Sequence, residues 1–267
     1  MASHWYKKDG TTAYGASLKE AREMGYYISI TSVEDVMYKY ELENWKIKQA
    51  IMSALTLPRE GTFRTLAIDN NNAIDITGVE YESDNDYIDR IIADSRQQAK
   101  KAAKLGTVIH HMAERYINKR PLFFKGMRPD VWVLFKPLQK WIDDNIESGE
   151  AEKVLVNNEF RYAGKADFAG VSKQGYEIIP DFKTTFIKPN DIKKDGNIKK
   201  AKIRDSWGRQ LSALMACKSV DQYLSVIVST NPAFPGVWVY KWGFNELFES
   251  YKVFLAALHL AQVQKGL

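Results

Sequence analysis

Two aspartates and two lysines occupy matching positions in a predicted β-hairpin. Two β-rich runs flank Lys173-Gln174-Gly175, which suits a three-residue turn whose glycine adopts the left-handed conformation. In the resulting register Asp167 lies opposite Asp181, and Lys165 lies opposite Lys183. Because side chains alternate along a strand, all four polar groups are expected on one face of the hairpin.

Opposed carboxylates at Asp167 and Asp181 would repel each other unless one is protonated or a cation lies between them. Magnesium suits such a pair, because it binds through one or two carboxylates together with waters and substrate phosphates. Lys183 would then hold a phosphate or orient the attacking water. The alternative interpretation is a solvated hairpin face, whose exposed ion pairs contribute little to stability.

Composition narrows the classes of protein that need be considered. The chain has 267 residues, a formal net charge of +5 and 45% hydrophobic residues, which suffices for a sizeable core. Its single cysteine, Cys217, excludes a disulfide framework, a cysteine-based zinc site and an iron–sulfur cluster held by four cysteines of the chain. No apolar run of about 18 residues and no signal-peptide pattern occurs, so we expect a cytoplasmic protein without a membrane partner.

Periodicity predicts an α/β (α+β) fold with helices before and after a set of strands. Helices are expected over 33–55, 87–118 with a break near Gly106, 130–146, 204–218 and 245–264. Strands are expected over 154–162, 165–171, 176–185, 222–229 and 237–242, and turns over 69–86. Two regions are predicted, a mainly helical N-terminal lobe over 1–100 and a core over 101–267.

Several short motifs occur in a characteristic order. They are Gly106-Thr107-Val108-Ile109-His110, Glu114, Glu159, Gly164-Lys165-Ala166-Asp167, Asp181-Phe182-Lys183-Thr184 and Gln210-Leu211-Ser212-Ala213-Leu214. Together, over about residues 105–215, they resemble the RecB-like PD-(D/E)XK nucleases. The lone cysteine indicates the branch without an iron–sulfur cluster, similar to the mitochondrial genome maintenance exonuclease and phage-encoded exonucleases. The resemblance implies a restriction-endonuclease-like core, in which helices flank a central mixed β-sheet.

The resemblance also implies roles for individual residues. Asp167, Asp181 and His110 match metal ligands for Mg²⁺ or Mn²⁺, and Lys183 matches the catalytic lysine. Gln210 matches a glutamine that contacts DNA, although Leu214 stands where the family often has an aromatic residue. Two readings of Glu114 stay open, since it could orient His110 from one helical turn away or pair with Arg115 or Lys119 on the surface.

A basic segment over 186–204 carries a net charge of +5, the same as the whole chain. Its candidate DNA-binding residues are Lys188, Lys193, Lys194, Lys199, Lys200 and Arg204. Lysine and arginine neutralise phosphates and supply salt-sensitive affinity that is independent of base sequence. Asn190, Gly196 and Asn197 indicate a flexible segment that orders on DNA. The alternative is an ordinary solvated loop.

The function expected from these features is a Mg²⁺- or Mn²⁺-dependent deoxyribonuclease. We expect an exonuclease acting on DNA ends or single-stranded segments in recombination, replication or phage DNA metabolism, in a bacterial or phage-infected cell. A recombination or single-strand-binding protein is a candidate partner. Two alternatives stay open: a non-catalytic DNA-binding or recombination partner, and a restriction-type endonuclease.

Overall fold

The computed structural model describes residues 5–37, 40–63, 79–122 and 129–267. The chain divides into two compact units, of which the larger comprises Met1–Tyr38 and Leu105–Leu267 and the smaller Lys39–Lys104. None of the described helices is both long enough and apolar enough to cross a bilayer.

A mixed eight-stranded sheet forms the centre of the larger unit. Its strands are β1 (Trp5–Tyr6), β2 (Thr12–Ala13), β3 (Tyr27–Ser29), β6 (Ile146–Asn157), β7 (Tyr162–Ser172), β8 (Glu177–Thr185), β9 (Gln222–Ser229) and β10 (Val237–Lys241). The order is β10-β9-β8-β7-β3-β1-β2, and β6 also pairs with β7. β8 runs parallel to β9 and β3 runs parallel to β7, whereas the other pairs are antiparallel.

Helices cover both faces of this sheet. The helices of the larger unit are α1 (Leu18–Met24), α2 (Ile30–Glu34), α5 (Pro129–Asn145), α6 (Asp205–Met215) and α7 (Phe244–Lys265), together with the C-terminal part of α4 (Asp84–Ile117). On one face α2, α6 and α7 enclose a core that includes Ile179 and Trp207. On the other face α4 and α5 pack against Phe182 and Val226. The expected mixed sheet flanked by helices is therefore confirmed.

The hairpin turn between β7 and β8 has the predicted form. Ser172 N–H donates to Tyr176 O at 2.8 Å, Gly175 N–H donates to Ser172 O at 2.8 Å, and Gly175 has a φ of +84°. Gly170 pairs with Ile178 and Val171 with Glu177, which is the predicted register. The turn chemistry of the sequence therefore sets how the two strands align.

The pairing of β7 with β8 ends sooner than predicted. β6 pairs with β7 along its whole length, so the second edge of β7 is left for other strands. On that edge β8 pairs at Gly170–Val171 and β3 pairs at Tyr162–Ala163. Within the described part of the chain, residues 164–169 have no strand partner there. The strands diverge before Asp167 and Asp181, and a gap opens in the sheet.

The smaller unit contains α3 (Tyr40–Thr56), the hairpin of β4 (Gly61–Phe63) and β5 (Val79–Tyr81), and the first part of α4. Tyr87 on α4 donates its hydroxyl to the carbonyls of Ala54 and Leu57, at 3.1 and 3.0 Å. Most of the predicted turn region 69–86 lies outside the described residues.

Three expectations differ from the structure. The predicted helix 33–55 is interrupted, because α2 ends at Glu34 and α3 begins at Tyr40. α4 continues through Gly106 without a break. The first strands join the core sheet through β3 and β7, so residues 5–37 lie with the core instead of in a separate helical lobe over 1–100. Strands of two or three residues are too short to show the alternation that predicts a strand.

Candidate active site

Lys183 and Asp181 lie together where β8 leaves β7. The Lys183 ammonium donates to Gln210 Oε1 at 2.7 Å and lies 2.8 Å from Asp181 Oδ2. The contact with Asp181 Oδ2 is an ion pair, and the Lys183 ammonium is the partner of this carboxylate oxygen among the described residues. The Lys183 side chain is 16% exposed and the Asp181 side chain is 14% exposed. A carboxylate and a lysine held together with so little exposure indicate a candidate site for binding or catalysis.

Asp167 crosses the gap between the strands. One carboxylate oxygen accepts the Phe182 N–H at 2.7 Å, which takes the place of a strand-to-strand hydrogen bond. The other lies 3.3 Å from His110 Nδ1 on α4. The His110 ring also packs edge-on against Phe182, with ring centroids 6.3 Å apart. Residues from α4, β7 and β8 therefore meet at one point of the gap.

The pKa values of Asp167 and Asp181 are shifted in opposite directions. Burial raises the pKa of Asp181 to about 6, and the nearby Asp167 charge adds to this effect. Burial also acts to raise the pKa of Asp167, but His110, Lys183 and the Phe182 N–H together outweigh it and lower that pKa below its usual value. Burial acts to lower the pKa of His110, yet Asp167 raises it overall. Carboxyl groups with opposite shifts are typical of active sites.

A close approach between α4 and β8 brings His110 to this point. A Cβ atom at Gly106 would lie 2.8 Å from Thr184 Oγ1, so the missing side chain lets the helix pack against the strand. His110 follows one turn later on the same helix face. The glycine therefore serves as a packing contact, and not as the helix break predicted from the sequence.

The predicted metal ligands are only partly assembled. His110 contacts Asp167, and Asp181 lies in the same pocket as Asp167. Among the described residues, no group of three or more His, Cys, Asp or Glu side chains is arranged to hold a metal ion. The two aspartates do fit a metal bound largely by water and phosphate, because both line one pocket and Mg²⁺ prefers oxygen ligands.

Three residues of the predicted motifs make contacts away from His110 and Lys183. Glu114 lies 3.5 Å from Arg120, and the described contacts of Glu114 do not include His110. Glu159 is exposed in the turn between β6 and β7. Lys165 pairs with Glu152 on β6 at 2.6 Å, because β8 has already left β7 at this level.

Gln210 has a contact within the protein that the family resemblance did not imply. A lysine ammonium has only donors, so Gln210 must present its carbonyl oxygen to Lys183. The amide NH₂ then remains available to the pocket that Gln210 lines, and it can donate to a phosphate oxygen. Gln210 therefore both orients Lys183 and offers a donor to an anionic ligand.

A buried ion pair between α2 and α6 lies beside Gln210, and nothing in the sequence analysis singled it out. Arg209 Nε and Nη2 donate to the Glu34 carboxylate, at 3.0 and 2.9 Å, and the Glu34 side chain is 2% exposed. Bidentate contacts of this kind fix geometry as well as charge. The pair holds α6 against α2 and thereby fixes the residue that contacts Lys183.

We expect Arg209→Met to destabilise the protein by about 3–5 kcal/mol, because Glu34 would be left as an unpaired buried charge. Urea denaturation measures the loss. The matched control is the double variant Glu34→Leu with Arg209→Met, which replaces both charges and should recover most of the stability. A single variant as stable as the wild type would show that the pair does not fix α6.

The basic segment is folded, contrary to the flexibility expected from its sequence. Ile187, Ile198 and Ile203 anchor it in the core, and Ile192 forms an isolated bridge with Ile198. The turn between them closes at Gly196, whose φ is +83°. Three buried isoleucines outweigh the loop-forming residues around them, because each buried apolar side chain contributes about 1.5–3 kcal/mol.

The candidate DNA-binding cations of this segment fall into two groups. Two contact other side chains, and four are exposed without an ion pair among the described contacts. Lys200 is engaged by Glu246 and Tyr240, each at 2.5 Å, and lies 4.5 Å from the centre of the Tyr240 ring. The Arg204 guanidinium lies 5.7 Å from the Trp207 ring. The remaining predicted DNA-binding lysines are exposed and have no ion pair among the described contacts: Lys188, Lys193, Lys194 and Lys199.

Comparisons with known proteins do not assign this chain to a family. No family model and no curated protein matches the chain. The solved structures that match include one described as "Crystal structure of SSO0001", with 12% sequence identity and a TM-score of 0.33, covering 85% of this chain and 87% of that chain. A TM-score this low does not establish a common fold.

Proposed function

We propose that this protein is a metal-dependent deoxyribonuclease of the RecB-like PD-(D/E)XK class, acting as an exonuclease. The observation that carries the proposal is the cluster in the sheet gap, where Lys183 contacts both Asp181 and Gln210 beside the Asp167–His110 pair. The cluster combines a largely buried cation with two carboxylates whose pKa values are shifted in opposite directions.

Each residue has a role in phosphodiester hydrolysis. Lys183 places its positive charge where charge develops on the phosphate and orients the attacking water. Gln210 fixes the Lys183 ammonium through its carbonyl and donates its amide to a phosphate oxygen. His110 holds Asp167 in position from the other side of the gap.

Asp167 and Asp181 would hold Mg²⁺ or Mn²⁺, with His110 beside them. When bound, the ion would polarise the scissile phosphate and lower the pKa of a coordinated water. An assembled three-residue cage is not required for Mg²⁺, which keeps several waters and uses one or two carboxylates together with substrate phosphates.

Two features favour DNA as the substrate and a strand end as its reactive part. The exposed lysines of the basic segment, which lies between β8 and α6, suit a phosphate backbone. The pocket beside the aspartates is also lined by Tyr6 on β1 and Ser29 on β3, and β3 covers the edge of β7 at Tyr162 and Ala163, so we propose that a strand ends there. The proposed setting is the cytoplasm, in recombination, replication or phage DNA metabolism, with a recombination or single-strand-binding protein as the proposed partner.

The test is incubation of end-labelled linear, covalently closed circular and single-stranded DNA with Mg²⁺ or Mn²⁺, and with EDTA as control. Metal-dependent digestion that spares circular duplex DNA supports the exonuclease. Cleavage of the circle would show a restriction-type endonuclease instead. Binding that survives EDTA without cleavage in either metal would show a non-catalytic DNA-binding protein.

The exposed lysines give a prediction about salt dependence. Lys193→Gln with Lys194→Gln should reduce the slope of log affinity against log salt by about 1.4 for single strands and 1.8 for duplex. Fluorescence anisotropy in a Lys183→Ala background, which prevents cleavage, measures the slope. Lys200→Gln is the matched control, since Glu246 already compensates that charge. Equal slopes for the double variant and its parent would exclude these two lysines from the DNA contact.

A further inference from the structure

The unpaired edge of β7 contains a second charged pair that the proposed chemistry does not use. Gly164–Ala169 lies between the part of β7 that pairs with β3 and the part that pairs with β8. A pocket of about 210 Å³ occupies this gap. It is lined by Asp167, Asp181 and Gln210 at one end and by Tyr6, Ser29, Thr31, Glu152 and Lys165 elsewhere. Among the described lining residues, Lys165 is the only cation.

Glu152 holds Lys165 in an arrangement that has a conformational cost. The two side chains lie 2.6 Å apart and are 36% exposed for Lys165 and 32% for Glu152. Glu152 has a φ of +57°, a left-handed backbone that glutamate rarely adopts. The strand ladder pairs Ala151 and Lys153 with β7 but omits Glu152 between them. Strain of this kind is retained mainly where it serves a function.

The position of Lys165 indicates what it would bind. It lies two residues before Asp167 on the same strand, a separation of about 7 Å along the backbone. A strand whose scissile phosphate lies at Asp167 and Asp181 would therefore bring a neighbouring phosphate towards Lys165. Two residues before Lys165, β3 covers the edge of β7, where Ser29 pairs with Ala163.

The size of the pocket limits its occupant. At about 210 Å³ it is smaller than the about 300–1,000 Å³ of sites that enclose drug-sized ligands. The part of it beside Lys165 therefore suits a phosphate group next to the scissile one, and not a further nucleotide with its base. The lysine ammonium and the hydroxyls of Tyr6 and Thr31 supply donors for the phosphate oxygens.

We propose that the Lys165 pocket receives the terminal phosphate of a DNA strand end, with Glu152 as the counter-ion that this phosphate displaces. The inference rests on the proposed nuclease function and extends it, because it gives the enzyme a preference for phosphorylated ends. Glu152 neutralises Lys165 while the pocket is empty and competes with the phosphate when DNA binds.

The test compares linear duplexes that carry a phosphate at the 5′ end only, at the 3′ end only, or at neither end. The wild type should degrade one phosphorylated substrate at least about tenfold faster than the hydroxyl-ended one at limiting substrate. Lys165→Gln should bring that ratio close to one. Glu152→Gln should raise it, because the competing carboxylate is gone. Lys218→Gln, outside the site, should leave the ratio unchanged.

Equal rates on all three duplexes, or a preference that persists in Lys165→Gln, would overturn the inference. Thermal melting of each variant separates a specific effect from misfolding. Anisotropy in EDTA measures the affinities for the same three ends. It tests the preference for a terminal phosphate without cleavage. A phosphate preference there that requires Lys165, in a protein that cuts no DNA, would contradict the proposed hydrolysis and leave the phosphate site intact.

Discussion

Replacing Lys183 with alanine is expected to reduce DNA cleavage by about 10²–10⁴-fold while leaving the fold intact. The ammonium contacts both Asp181 and Gln210, whereas Lys165, the cation that lines the neighbouring pocket, is paired with Glu152. Losing one group that stabilises transition-state charge or positions a proton-transferring water has effects of this size. Initial rates on end-labelled linear DNA in Mg²⁺ measure the loss.

Lys218→Ala is the matched control for this variant. Lys218 forms an exposed pair with Glu177, 3.4 Å away, and exposed pairs of this kind contribute little to stability. Its removal should leave cleavage unchanged, and both variants should melt cooperatively. A folded Lys183→Ala protein that cleaves at the wild-type rate would eliminate the proposed catalytic lysine.

Asp181→Asn is expected to abolish cleavage and, in EDTA at pH 8, to stabilise the protein. Burial raises the pKa of this carboxyl from 3.8 to about 6, so its ionised form destabilises the fold by up to about 3 kcal/mol. Because the pKa in the folded state exceeds that of the unfolded state, the penalty is absent below pH 4. It grows as the pH rises from about 4 to about 6 and is complete above that pH. The neutral amide of the Asp181→Asn variant removes this penalty.

Metal should reverse this order of stability. A cation bound only to the folded wild type would add about 4.1 kcal/mol at one thousand times its dissociation constant, which exceeds the penalty of about 3 kcal/mol, and the variant would lose most of that gain. Urea denaturation of both proteins, at pH 8 with EDTA and then with Mg²⁺ or Mn²⁺, measures the two differences. A variant that is less stable than the wild type in EDTA would show that the buried carboxylate is already satisfied. Equal metal stabilisation of both proteins would remove Asp181 from the metal site.

Local sequence signals predicted much of the fold that surrounds the site. Gly175 set the three-residue turn, and the register that follows from it is the one observed at Gly170 and Ile178. The positions of α5, α6, α7, β9 and β10 agree with the prediction to within a few residues. These features depend on turn chemistry and periodicity, which neighbouring residues determine.

The features that the sequence did not predict depend on contacts between distant segments. The gap beside β7 lies between the part of its edge that pairs with β3, from the start of the chain, and the part that pairs with β8. Arg209 and Glu34 look like surface charges until α2 and α6 are packed together. Lys200 was predicted to bind DNA, but its charge is compensated by Glu246 from α7.

The pairing of Ile28 with Tyr162 affects when the pocket can form during synthesis of the chain. The pocket contains Tyr6 from the first strand and Gln210 from a helix near the end of the chain. A growing chain on the ribosome therefore has its N-terminal strands long before the residues that complete the pocket. Contacts between such distant segments slow folding, because a long loop must close before they form. The nascent protein should accordingly remain inert toward DNA until α6 has been synthesised and docked.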